Sequence, residues 1–88
     1  MHTDEYEISI GREITLCRNV IEKLIKSLKR REERYGMSTE SFLCTFQQDK
    51  SLGKNGDFVS WHRESRELQN WKQSLHDYEE ALEVAKQL

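Results

Sequence analysis

The chain has 88 residues, a net charge of −2 with histidine neutral, 35% hydrophobic and 34% charged residues, no proline and four glycines. That length allows one domain near the lower limit for a self-sufficient core. It has no apolar run of about 18 residues to span a membrane, and no charged segment leading into an apolar one as in a secretory signal. A cytoplasmic address is therefore the expectation.

The surplus of Glu, Lys, Arg, Leu and Gln without proline favours long helices. Thr3-Asp4-Glu5 has the form of an N-cap followed by an acidic first turn. Tyr6, Ile8 and Ile10 instead alternate with Glu7 and Ser9, a short strand pattern, and Gly11 is a potential break. The first helix is therefore predicted to start at about residue 4 or at about residue 12, and is assigned over about residues 12–35. Ile14, Cys17, Ile21, Leu24 and Leu28 recur at three and four, with Val20 and Ile25 widening the stripe beyond a two-stranded seam. Gly36 is placed to cap this helix in the left-handed conformation.

Ser38 is an N-cap for a short second helix, about 39–48, with Met37 facing Phe42 as a hydrophobic staple. Ser41 leaves the capping box incomplete. Phe42, Leu43 and Phe46 give this helix one apolar edge. Residues 49–56, with two glycines and an Asn-Gly pair, predict a loop. Asp57 is a candidate N-cap for the last helix, about 58–87. There Trp61, Leu68, Leu75 and Leu82 lie seven apart, and Trp71, Tyr78 and Ala85 form a companion row broken by Glu64. Arg31 is the matching polar break in the first helix, so an Arg31–Glu64 pair across an interface is expected.

These elements predict an all-α fold: an antiparallel hairpin of two long helices with a short connecting helix, forming one domain over residues 1–88. A helix pair encloses little volume. Five large side chains left exposed would forgo about 7–15 kcal/mol of burial, comparable with the whole stability of a small domain. Dimerisation into a helical bundle is the simplest remedy. Phe58, Trp61, Leu68 and Trp71, with Phe42 and Phe46 as a second patch, are the candidate partner-binding residues.

The chemistry of an enzyme is missing from the pattern. Gly53-Lys54-Asn55-Gly56 lacks the spacing of a phosphate loop and a strand before it. Cys17 and Cys44, with no CxxC, are expected as buried reduced thiols. His2, His62 and His76 are scattered, and His76 with Glu80 at i, i+4 lacks a third metal ligand. No metal, cofactor or catalytic set is expected. Lys23, Lys26, Lys29, Arg30 and Arg34 form a basic face, most simply a solvated helix end. As an alternative it could hold nucleic acid or an acidic partner on a dimer, although the stretch lacks interleaved aromatics and the overall charge is negative. A purely structural homodimer is the third reading.

Tyr35-Gly36-Met37-Ser38-Thr39-Glu40-Ser41-Phe42, then Leu52-Gly53 and Asp57-Phe58-Val59-Ser60-Trp61, resemble a group of short prokaryotic helical proteins. That group has a Tyr-Gly-Met-Ser-x-Glu-x-Phe turn, a Leu-Gly loop and Asp-Phe-x-x-Trp opening the last helix. The similarity covers about residues 33–80 and departs at Ser41, where an acidic residue is common, and in the Tyr6–Ile10 prelude. Such proteins are regarded as antitoxin-like partners of small toxin-like neighbours. The resemblance implies a non-catalytic interaction module that occupies a partner's groove with a helix.

Overall fold

The computed structural model describes residues 5–87, which form three α-helices, α1 (Glu5–Tyr35), α2 (Thr39–Gln48) and α3 (Gly56–Gln87). A 3-10 turn, Lys50–Lys54, occupies most of the predicted loop. No strand occurs among the described residues. The all-α expectation holds at that level.

Among the described residues α1 is helical from Glu5, in agreement with the earlier of the two expected starts and not with the assigned start near residue 12. Alternation at Tyr6, Ile8 and Ile10 is overridden because Ile10 continues the three-and-four spacing into Ile14 and Cys17, and all three are buried. A buried stripe outweighs a five-residue alternation. Gly11 passes within the helix and breaks nothing. Thr3 and Asp4, the other half of the proposed cap, lie outside the described residues.

The α1–α2 corner follows from local chemistry. Gly36 adopts φ 64°, a conformation that penalises any side chain with a Cβ. The Met37 amide then donates back to the Glu32 carbonyl at 3.2 Å, which closes the helix end. Ser38 Oγ accepts from the Ser41 amide at 3.1 Å, as an N-cap does. The carboxylate absent from the capping box comes from the preceding helix: Glu32 accepts the Thr39 amide at 2.7 Å. Spacing rules within one helix could not reveal a cap supplied by another.

At the next corner Asp49 caps the 3-10 turn by accepting from Ser51. Asn55, not Asp57, caps α3, its Oδ1 accepting the Asp57 amide at 2.9 Å and the Phe58 amide at 3.4 Å. The helix accordingly opens at Gly56, and the Asp57 carboxylate is free for the opposing helix.

α1 and α3 pack along their lengths, and their contacts run in reverse order. Tyr35 meets Asp57, Arg31 meets Glu64, and Arg18 meets Glu79 at 3.0 Å. The result is a rod of 58 × 21 × 18 Å. α2 and the 3-10 turn pack on α3 at one end, the elbow. Leu28, Phe42, Trp61 and Leu68 form the interior there, with Ile21, Leu24, Tyr35, Met37, Leu43, Phe46 and Phe58 packed around them. Cys17 is fully buried, and burial raises its thiol pKa, with the Glu13 charge adding to the shift. Cys44 is exposed, contrary to expectation, because α2 turns Phe42 rather than Cys44 inward.

Candidate interaction surface

Two clusters define the elbow. The first is aromatic. Trp61, completely buried, stacks on Phe42 with ring centroids 4.0 Å apart and planes 2° from parallel. Tyr35 stacks on Trp61 at 5.6 Å and meets Phe58 edge-on at 5.1 Å. The indole Nε1 donates to Thr39 Oγ1 at 3.0 Å, so burying the ring leaves no orphan donor. Three helices are therefore joined through one ring.

The second cluster is ionic. Ser27 Oγ donates to Glu64 at 2.6 Å, and Arg31 Nη1 donates to the same carboxylate. Arg31 Nε reaches Asp57 at 3.3 Å, Tyr35 Oη donates to Asp57, and Arg34 approaches it at 3.4 Å. The Arg31 and Glu64 side chains are only 16% and 14% exposed. This is the expected Arg31–Glu64 pair, but it closes within one chain.

Burial opposes the charge on Glu64, yet the Ser27 hydroxyl and the Arg31 guanidinium outweigh it and hold the carboxyl below its usual range. The Tyr35 hydrogen bond, seconded by Arg31, lowers Asp57 against a smaller cost of burial, and the same bond raises the Tyr35 phenol. For Arg31 burial lowers the pKa, but Glu64 and Asp57 together raise it. Every member is thus locked in one protonation state near neutrality, which suits a strut better than a proton carrier. No group of three or more His, Cys, Asp or Glu side chains able to hold a metal occurs among the described residues.

The candidate partner-binding residues divide sharply. Phe42, Trp61 and Leu68 are interior side chains, whereas Phe46, Phe58 and Trp71 are half-buried. Phe42 and Trp61 hold α2 in place and reach a partner only through that role. Beside them an open groove of about 500 Å3 runs between α1, α2 and α3, walled by Ile25, Leu28, Leu43 and Leu68. Ile25 is 46% exposed within it. Its rim carries Lys29, Glu32, Glu40 and Gln69. The width of the α1 stripe, which includes Ile25, was the sequence signal for this groove. Lys23, Lys26, Lys29, Arg30 and Arg34 are all exposed, with Lys26 paired to Glu22 at 3.2 Å.

Along α3 the apolar row continues past Leu68 through Trp71, Leu75, Tyr78 and Leu82, yet none of these four is buried. α2 covers only the elbow, so the other half of the rod, the open end, is a bare helix pair. None of the described helices is long and apolar enough to cross a membrane. No family model, curated protein or solved structure matches the chain.

Proposed function

We propose that the protein is a non-catalytic protein–protein interaction module, an antitoxin-like or regulatory partner of another protein, built as a helical hairpin that pairs into a bundle. The observation that carries this reading is the groove walled by Ile25, Leu28, Leu43 and Leu68. Its volume and apolar walls suit the ridge of one amphipathic helix, the helix-in-groove mode of recognition. Lys29 and Glu32 from α1 and Glu40 from α2 supply a charged rim that orients the incoming helix. The ionic and aromatic clusters hold the groove in shape without entering it.

The partner to test is the product of the gene adjacent to this one. Co-purification of the two proteins is expected, and Ile25→Lys should abolish the complex while leaving the helical signal intact, because Ile25 is half exposed in the free chain. Calorimetry of the purified pair measures this. An unchanged affinity for the variant, or no association at all, defeats the reading.

A further inference from the structure

We infer that a second copy of this chain lies antiparallel along the rod, on the face of the α1/α3 pair that carries Trp71, each copy seating its arginine end on the other's acidic end. The inference deepens the interaction-module reading by naming one partner and where it binds.

Two hollows open on this face. At the elbow, one of about 260 Å3 is lined by Ser27, Arg30, Arg31, Arg34 and Asp57. At the open end, one of about 520 Å3 is lined by aromatic and acidic residues, Tyr6, Glu13, Asp77 and Tyr78 among them. Heptad rows connect them. Tyr6, Glu13, Val20, Ser27 and Arg34 lie seven apart on α1, and Asp57, Glu64, Trp71 and Tyr78 lie seven apart on α3. Each row has members lining both hollows; at a drift of about 20° per heptad, Glu13 and Ser27 lie within about 40° of each other around α1, and Asp57 and Tyr78 within about 60° around α3. The hollows therefore open on the same side.

Their charges are opposite. Arg31 is consumed by Glu64 and Asp57, but Arg30 makes no hydrogen bond or ion pair among the described residues, and Arg34 is 69% exposed with only a 3.4 Å contact. Glu13 and Asp77 rim the far hollow, where Asp77 accepts only from the neutral amide of Gln73. The whole rod is polarised in the same sense. Residues 23–68 carry ten Lys/Arg against seven Asp/Glu, net +3, while residues 5–22 and 69–87 carry four against eight, net −4.

A twofold axis is the operation that satisfies both ends at once, since it sends each hollow onto its opposite. The midpoint between the hollows falls at about residue 22 of α1, which the Arg18–Glu79 and Arg31–Glu64 contacts place level with about residue 74 of α3. Val20 and Trp71, both half-buried, flank that point and supply the apolar contact that exposed charges alone lack. A parallel copy would stack like charges at both ends. The groove beside α2 is on a different side of the elbow, so this pairing leaves it open.

Sedimentation of the full-length protein tests the arrangement. The wild type should dimerise, more weakly as salt rises from 50 to about 500 mM, because the end contacts are screened over roughly 10 Å or less. Arg30→Glu/Arg34→Glu and Glu13→Lys/Asp77→Lys should each weaken self-association at least about tenfold with helicity retained. Mixed in equal amounts, the two variants should form a heterodimer, since one is acidic at both ends and the other basic at both. Failure of the mixture to pair, or a dimer indifferent to either reversal, overturns the inference. So does a wild type that stays single while binding an acidic peptide or an oligonucleotide through Arg30 and Arg34. A single chain that still binds the adjacent gene's product through Ile25 would defeat this inference alone, whereas a dimer that binds no such product would defeat the groove reading alone.

Discussion

Trp61→Ala is expected to be the most damaging single substitution, destabilising the chain by about 3–5 kcal/mol. The ring is fully buried, stacks on Phe42 and Tyr35, and donates to Thr39. Its loss removes apolar burial, leaves a void bounded by three helices, and strands the Thr39 hydroxyl. A domain of this size has a total stability of about 5–15 kcal/mol, so much of the population would unfold at moderate temperature. Urea titration followed by circular dichroism measures the change. Trp61→Phe should recover part of the loss by restoring the stack but not the hydrogen bond. A Trp61→Ala protein with an unchanged midpoint would show that α2 is held by something other than this ring. Any binding defect in that variant would report unfolding rather than a lost contact, which is why Ile25 is the better probe of the groove.

The second large effect is expected at the Arg31–Glu64 pair. Removing either partner leaves a partly buried charge with weaker compensation, Arg31 with Asp57 alone or Glu64 with the Ser27 hydroxyl alone, so Arg31→Met or Glu64→Leu should each cost about 2–4 kcal/mol, somewhat less than a fully enclosed pair. Replacing both together should cost far less than the sum, because the desolvation penalty goes with the charges. A double-mutant cycle in urea reads the coupling directly. Strict additivity would mean that the two side chains do not interact in solution.

The same pair sets the acid response. Glu64 and Asp57 both titrate lower in the folded protein than in an unfolded chain. Their contribution is therefore complete above the ordinary carboxylate range, about pH 4, and is lost as the pH falls through their folded values. Tyr35 works in the opposite sense: its phenol titrates higher when folded, so its contribution is present below about pH 10 and disappears above its folded value. Stability should be flat between about pH 6 and 9 and fall on both sides. The Arg31→Met/Glu64→Leu chain should show a shallower acid limb. An identical acid limb in both would place the titrating carboxylates elsewhere.

Much of the architecture was legible in the residues because it depends on contacts between near neighbours in sequence. The three-and-four spacing of Ile14, Cys17, Ile21, Leu24 and Leu28 predicts a helix whatever packs against it. Gly36 and Ser38 mark the first corner through backbone geometry that involves only a few residues. The Arg31–Glu64 pair was foreseeable because each interrupts an apolar row. Strand-like alternation at Tyr6–Ile10 left the start of the first helix open between about residues 4 and 12, because five residues cannot reveal which period their neighbours will continue. Asp57 misled for a related reason: its position suits a cap, but an asparagine two residues earlier takes that task and the carboxylate turns to Arg31 and Tyr35.

What the residues alone determined is the helical content, the corners and the surplus of apolar side chains, since these follow from spacing and local hydrogen bonding. Only the tertiary structure decided which of those side chains are spent. It put Phe42 and Trp61 inside and left Ile25 and Trp71 partly open, because α2 covers one end of the rod and not the other. It also gathered Arg30 and Arg34 into one hollow and Glu13 and Asp77 into another. Such a grouping depends on how two helices lie against each other, a relation between distant residues that no local pattern encodes.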